Sequence, residues 1–402
     1  MIKIFYFSIV LFLLIGCRDY SGQDSDLFTF HMTAEDKIES LDLSQIAAIE
    51  YVKLGGENQD FLVHNEPIAC TDKHIVVYEP MSGDFFLFDQ EGNPLTRFNH
   101  KGEGPGEYTI VTGVVCDETA GELFVYFMNK IEVYSLDGLH RRTLNLPEGK
   151  HLAELFDFGP EWLLAYDAHA VYKEAANLLP GHSARRVDEA VSLPSESSPF
   201  QLLSKTDGHV ERTFPVAQNK EIKLVATMEM DGIGFSFPAR TMRIVPLREG
   251  AILYNQESDT LFYLTHSLDL QPVAIRMPSV GATDPMRYLN GYLEVSNYQF
   301  FESVPLVVER GRFKPIYLCR DKRDGNTFRP QIYLPDFISK ELFLSSSMNR
   351  KSSDSQVGYQ VLPTEELLAA LDEGRLKGSL KALASTMDEE DNYVLLRLRF
   401  KE

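Results

Sequence analysis

Two short apolar runs joined by a glycine turn recur along this chain, and that recurrence constrains the fold more than any other feature. Residues 84–108 read DFFLFDQEGNPLTRFNHKGEGPGEY. β-favouring residues fill the runs and Glu91-Gly92-Asn93-Pro94 separates them, which predicts a hairpin. The cluster Gly102-Glu103-Gly104-Pro105-Gly106 then redirects the chain. Residues 130–146, KIEVYSLDGLHRRTLNL, repeat the arrangement with the turn at Asp137-Gly138. Gly92 and Gly138 lie 46 residues apart. Hairpins recurring every ~40–50 residues are the trace that four-stranded propeller blades leave in a sequence.

The stretch FDQEGNPLTRFNHKGEGPGEY resembles the first-blade hallmark of the six-bladed β-propeller lipoproteins of Bacteroidota, relatives of NHL-repeat and TolB-like propellers. The matching residues are Phe88, Asp89, Gly92, Gly102, Gly104, Pro105, Gly106, Glu107 and Tyr108. Asp259-Thr260-Leu261-Phe262-Tyr263 is similar to an Asp-Thr-Ile-Tyr element of that family. Residues 391–398 are similar to its closing strand, with Tyr393 where the family has Pro. The resemblance implies an all-β fold, a six-bladed β-propeller of four-stranded antiparallel blades. It also implies that an N-terminal strand near Tyr51 completes the last blade, which removes exposed strand edges. It says nothing of the ligand.

Taken in order, the runs place blade 1 over 61–98 and blade 2 over 110–146. Blade 3 contains 162–166 and 200–203, with a turn at Asp207-Gly208. Blade 4 covers 240–277. Blade 5 covers 287–317, with strands expected over 292–301 and 305–308. Blade 6 begins near Ile332, crosses a polar loop at 345–355 and reaches 358–361. Residues 362–383 read as a short helical segment, with Thr364 as its N-cap, before the closing strand. The 386 residues from Cys17 onward would also divide into eight blades, but the turn spacing and the resemblance favour six with long loops.

The N-terminus carries an address. Lys3 precedes an apolar run over 4–15, which is too short to span a bilayer and suits a signal peptide. Leu14-Ile15-Gly16-Cys17 resembles the bacterial lipobox, cut before Cys17, which then carries the lipid. The expected organisation is a lipoprotein signal peptide over 1–16, a flexible polar tether over 17–27 and a single propeller domain over 28–402. The expected place is the outer membrane, on its periplasmic face or the cell surface, held through the lipid anchor.

A net charge of −20 opposes binding to phosphate backbones, so no nucleic-acid partner is expected. Cys70, Cys116 and Cys319 allow at most one disulfide, and the apolar runs around Cys70 and Cys116 suit buried thiols. No Cys-x-x-Cys, G-x-S-x-G, H-E-x-x-H or phosphate-loop spacing occurs. The acidic turns at 321–326 and 388–392 lack the alternation of an EF-hand loop, so a Ca²⁺ site has no motif behind it. No catalytic residue or cofactor is assigned.

The long polar insertion between Asp167 and Phe200 is the candidate binding element, since loops on a rigid scaffold carry binding. Asp167, His169, Tyr172, His182, Arg185 and Arg186 combine donors, acceptors and an aromatic face. The Arg185-Arg186 pair can hold a carboxylate bidentately. The plainer alternative is a polar surface loop. The expected function is a lipid-anchored envelope module that binds a glycan, a peptide or an envelope protein. The alternative, by fold analogy alone, is a propeller hydrolase or lyase with a divalent metal in its central channel. Replacing Cys17 by Ser is expected to move the protein from the detergent phase to the aqueous phase on Triton X-114 partition. Unchanged partition would refute the anchor.

Overall fold

A strand apolar on both faces needs a packing partner on each side, and this chain supplies one by arranging its sheets around a ring. The computed structural model describes residues 27–32, 37–56, 58–147, 149–168, 198–216, 225–230, 233–238, 242–256, 258–306, 314–349 and 352–401. Among them lie six blades of a β-propeller and a separate hairpin, Val225–Met230 with Ile233–Pro238.

Blade 1 holds Pro67–Cys70, Ile75–Glu79, Asp84–Phe88 and Pro94–Asn99. Blade 2 holds Gly113–Asp117, Glu122–Phe127, Lys130–Ser135 and His140–Asn145. Blade 3 holds Leu152–Asp157, Trp162–Asp167, Phe200–Ser204 and Val210–Phe214. All three are antiparallel meanders. Blade 4 runs Ile244–Leu247, Gly250–Leu253, Thr260–Thr265 and Leu270–Met277. Blade 5 runs Arg287–Val295, Tyr298–Pro305, Ile316–Asp321 and Thr327–Ile332. The first strands of blades 1 and 2, of blades 2 and 3 and of blades 4 and 5 lie against one another, which places them at the centre of the ring.

Blade 6 closes the ring. Val357–Leu362 pairs with Val394–Phe400, which pairs antiparallel with Ala47–Lys53. Tyr51 stands opposite Leu396 in that register. The N-terminal segment also does something the sequence did not announce. Before reaching blade 6 it adds a parallel edge strand to blade 4, Phe28–His31 on Leu270–Met277. It then adds another to blade 5, Ile38–Leu41 on Thr327–Ile332. Blades 4 and 5 are therefore five-stranded.

Alternation along each strand explains the core. In Asp84–Phe88 every residue is buried. Phe86 and Phe88 face blade 6, packing with Val52, Tyr359 and Leu395. Phe85 and Leu87 face blade 2, packing with Val114, Leu123 and Val125. Successive side chains point to opposite faces, so a continuous apolar run serves two seams at once. The turn glycines then dock each blade on the one before it. Gly92 has φ +88°, and a Cβ there would lie 2.2 Å from the Lys53 carbonyl oxygen in blade 6. Gly138 has φ +86°, and a Cβ there would lie 2.6 Å from the Phe98 ring in blade 1. The 46-residue repeat is thus one contact made twice.

Several sequence expectations change in detail. Residues 292–301 are not one strand, because the chain turns between Val295 and Tyr298 with Ser296 at φ 49°. Ile332 ends blade 5 instead of opening blade 6. The helical segment is two helices, Thr364–Asp372 and Gly378–Ala384, with Gly374 between them at φ +71°. Pro363, not Thr364, is the N-cap. The Thr364 hydroxyl instead donates towards the carbonyls of Asp391 (3.1 Å) and Asn392 (2.9 Å). None of the thiols Cys70, Cys116 and Cys319 is in a disulfide, and all three are buried.

Asn392 latches the closure. Its amide nitrogen donates to the carbonyls of Leu54 (3.2 Å) and Phe61 (2.9 Å), and its Oδ1 accepts from Val63 N (2.8 Å). Removing a buried side chain that satisfies several backbone groups strands each of them, at ~1–3 kcal/mol apiece. Asn392→Ala is therefore expected to lower stability by about 2–4 kcal/mol. The exposed-turn control Asn326→Ala is expected to change it by less than about 0.5 kcal/mol. Denaturant midpoints compare the two, and equal shifts would refute the latch.

Candidate functional site

The first strand of each blade runs along the channel, and the connection that follows it reaches one mouth. Acidic residues stand at or just past the ends of three such strands: Asp72 in blade 1, Asp117 in blade 2 and Asp157 in blade 3. A cavity of about 530 Å³ opens at this mouth. Its polar lining comes from blade 1 (Asp72), blade 3 (Asp157), blade 4 (Arg248, His266) and the approach to blade 6 (Asp354, Gln356). Apolar walls come from Phe156, Phe158, Leu164, Ile244 and Phe400. The Phe158 and His266 rings pack at 4.8 Å, tilted by 41°. Asp354 is held by a tight turn in which its Oδ1 accepts from Gln356 N at 2.8 Å.

A shared lysine organises the charge beside the cavity. Lys205 is 6% exposed and follows the third strand of blade 3. Its Nζ lies 2.5 Å from Asp117 Oδ2 and 2.8 Å from Asp157 Oδ1. Its carbonyl accepts from Arg142 (2.8 Å), which also grips Glu122 bidentately at 2.5 and 2.7 Å. One cation thus serves two carboxylates, and their environments separate them. Burial raises the Asp117 pKa, but the bond to Lys205 and the Ala120 backbone amide outweigh it and leave it below the ordinary value. Asp157 reaches the open mouth, yet the atoms packed around it screen it from bulk water. That desolvation, aided by the Asp117 charge, holds its pKa above the ordinary value against the pull of Lys205.

The glycine cluster is a corner between blades 1 and 2. The Glu107 carboxylate accepts from Gly104 N at 2.7 Å, and a Cβ on Gly102 would meet that same carboxylate at 2.0 Å. Pro105 leads into Gly106, whose carbonyl accepts from the Tyr134 hydroxyl at 2.7 Å. The Tyr108 hydroxyl donates to Gly83 O (2.7 Å) and accepts from His100 N (3.0 Å). These bonds join two blades.

Of the insertion residues, Asp167 ends the second strand of blade 3. Its Oδ1 accepts from His151 N at 3.0 Å and its Oδ2 pairs with Lys150 at 2.9 Å, so it ties the entry to that blade. His169, Tyr172, His182, Arg185 and Arg186 lie outside the described residues, as does Cys17. The mouth residues were missed because each comes from a different blade. One signal was present: Asp72, Asp117 and Asp157 recur 45 and 40 residues apart, each beside the end of an apolar run. Among the described residues no three His, Cys, Asp or Glu side chains converge to hold a metal.

The chain is a six-bladed β-propeller with short helices near its C-terminus. A family model described as DUF5128, 6-bladed beta-propeller, matches residues 22–178. A solved protein of Bacteroides fragilis, titled as an exported protein, is 13% identical, with 94% of this chain and 100% of that one covered at a TM-score of 0.57. A member of the duf4221 family from Bacteroides vulgatus is 10% identical, with 89% of this chain and 98% of that one covered at a TM-score of 0.43. At such identity the likeness shows the fold alone. No curated protein matches the chain.

Breaking a buried ion pair from one side costs ~3–5 kcal/mol, because the other charge is left unpaired. Asp117→Asn is expected to cost about 3 kcal/mol at pH 7, and Asp157→Asn under about 1 kcal/mol or to stabilise. The linkage signs differ. Asp117, lowered in the fold, contributes stability above the ordinary aspartate pKa that is lost as pH falls through its folded value. Asp157, raised, contributes stability below the ordinary value that is lost as pH rises through its folded value. Unfolding midpoints across pH 3 to 7 test this ordering, and a larger loss for Asp157→Asn would overturn it.

Proposed function

We propose that this chain is a lipid-anchored propeller of the bacterial cell envelope, acting as a binding module for a glycan, a peptide or an envelope protein at the mouth of its channel. The observation that carries the reading is the cavity of about 530 Å³, walled by apolar residues and rimmed by convergent polar side chains from four blades. Concave sites of ~300–1,000 Å³ with a few placed polar groups are where proteins take ligands. The frame beneath it is rigid, since seams of buried aromatic and aliphatic side chains fix each blade against the next.

The lipobox at Cys17 and the likeness to a protein titled as exported support the envelope placement. Phe28 begins the strand added to blade 4. From Cys17 to Phe28 an extended chain spans at most ~40 Å. An anchor at Cys17 keeps the mouth close to the bilayer surface, where an envelope ligand would be met.

The test is a thermal-shift screen of purified protein against envelope glycans, peptides and envelope proteins. A ligand at a hundred times its Kd adds ~2.7 kcal/mol and raises Tm by several degrees. His266→Ala and Gln356→Ala, at exposed or half-buried mouth positions, are expected to keep the unliganded Tm and abolish the shift. If no probe stabilises the protein, or the shift survives both substitutions, the mouth is not the site.

A further inference from the structure

Arg276, near the end of the strand Leu270–Met277 of blade 4, is a cation sealed inside the ring at 1% exposure. Its Nε donates to Pro278 O at 3.2 Å and lies 3.9 Å from Asp259 Oδ1. Its Nη1 and Nη2 are buried and have no hydrogen-bond partner among the described residues. A guanidinium carries five donors in a planar fork, and buried donors are almost always bonded. Asp259 supplies only part of a counter-charge, since its Oδ1 already accepts from Val280 N at 2.8 Å. Burial draws the Arg276 pKa down to about 10, with Asp259 opposing and the Arg287 charge adding to the effect, so the group stays charged at pH 7.

Two more guanidiniums belong to the same seam. Ala274, two residues before Arg276, packs with Leu289, Phe301 and Leu318 of blade 5, so Arg276 also faces blade 5. Phe328 packs towards blade 6, so its neighbour Arg329 faces blade 4, and the Arg329 Nε is buried without a partner among the described residues. Arg287 opens blade 5 and is fixed by fully buried Ser303, with Nε donating to the hydroxyl at 2.9 Å and Nη2 to the carbonyl at 2.7 Å. The Arg287 charge acts on Arg276, and the Arg329 charge acts on Arg287. Among the described residues Asp259 is the one carboxylate acting on Arg276, and none acts on Arg287. The other acidic side chains of blade 5 are engaged elsewhere, Glu302 with Asn290 and Tyr317, Glu294 with Lys322, and Asp321 with Arg323.

We infer that the seam between blades 4 and 5 binds a tetrahedral dianion, phosphate or sulfate, free or as the head of a monoester, with the Arg276 fork as its floor and Arg287 and Arg329 completing the cradle. A monocarboxylate would answer one of the three charges, whereas a dianion with several oxygens can take the fork of one guanidinium and still accept from its neighbours. Such an ion joins blade 4 to blade 5. It also sits where the N-terminal arm is attached, because Phe30 stands opposite Arg276 and Ile38 opposite Arg329 in the two edge pairings.

The test uses the mature full chain in a buffer free of phosphate and sulfate. Calorimetry at constant ionic strength compares sodium sulfate, inorganic phosphate, methyl phosphate and acetate. Sulfate and phosphate are expected to bind one to one, and acetate at least tenfold more weakly. Arg276→Lys keeps the charge but loses the fork, and is expected to cost at least tenfold. Half-buried Arg329→Gln is expected to cost at least threefold, and keeps the test valid if Arg276 variants do not fold. Exposed Arg212→Gln on blade 3 is expected to cost less than twofold. In the anion-free buffer Arg276→Met is expected to raise Tm, because it removes an unpaired buried charge. Tighter binding of methyl phosphate than of inorganic phosphate supports an ester head group, and the reverse supports the free ion. Absence of sulfate and phosphate binding, or binding that neither Arg276→Lys nor Arg329→Gln weakens, overturns the site. Sulfate raises Tm of many proteins by exclusion from their surface, so an equal rise in the native protein and Arg329→Gln counts against it too. Glu35 and Asp36 lie outside the described residues. Should sulfate bind only after Glu35→Gln with Asp36→Asn, the chain neutralises its own arginines and the inference fails.

Discussion

The pairing of residues 47–53 with 394–400 is the interaction on which the rest of the structure depends. It joins residues about 350 positions apart in sequence, and it turns a row of hairpins into a ring. Without it, Phe86 and Phe88 would face water, since their packing partners Val52, Tyr359 and Leu395 all belong to the closing blade. Each seam in turn depends on its neighbours being in place, because the inner strands of the blades bury apolar side chains on both faces. Polar bonds reinforce the junction. Arg397 binds Glu50 at 2.5 Å and donates to the Gln90 carbonyl at 3.0 Å, which bridges the closing blade to blade 1. Asn392 and Tyr393 reach the segment that enters blade 1, the latter through its hydroxyl to Asn65 O at 2.8 Å.

Closure also explains the position of the mouth. Once the first strands stand around an axis, the connections after them gather at one end, and residues from distant parts of the chain become neighbours. Asp157 and Asp354 are nearly 200 residues apart and line one cavity. Lys205 shows how the ring divides labour. Its cation is buried between two blades, where it fixes Asp117 as a structural anion and leaves Asp157 facing the cavity. The propeller supplies rigidity, and side chains at strand ends supply polar groups of the mouth.

Much of the fold was legible in the residues. Glycines at Gly92 and Gly138 mark turns that dock on a neighbouring blade, and DFFLF announces a strand buried on both faces. Blade boundaries slipped where local signals misled. The run from Tyr292 to Phe301 reads YLEVSNYQFF, and its alternation of apolar and polar residues continues across Ser296-Asn297, so only that short polar pair marked the tight turn after Val295. The edge strands Phe28–His31 and Ile38–Leu41 are four residues each with mostly exposed or half-exposed side chains, too short and too polar to stand out. Their pairing is parallel and depends on where blades 4 and 5 happen to lie. The mouth cavity was less legible still, because beyond the spacing of Asp72 and Asp157 its lining residues come from several blades and share no local motif.

By itself the sequence determined the class of element and its repetition. Alternation of side chains along a strand and the backbone freedom of turn glycines are local properties, and they survive in a one-dimensional string. Tertiary structure alone decided which residues meet. Ring closure sets those contacts, and the free energy of closing the ring belongs to no single segment. For that reason the carboxylates beside Lys205, the edge strands on blades 4 and 5, and the mouth cavity emerge only once all six blades are packed.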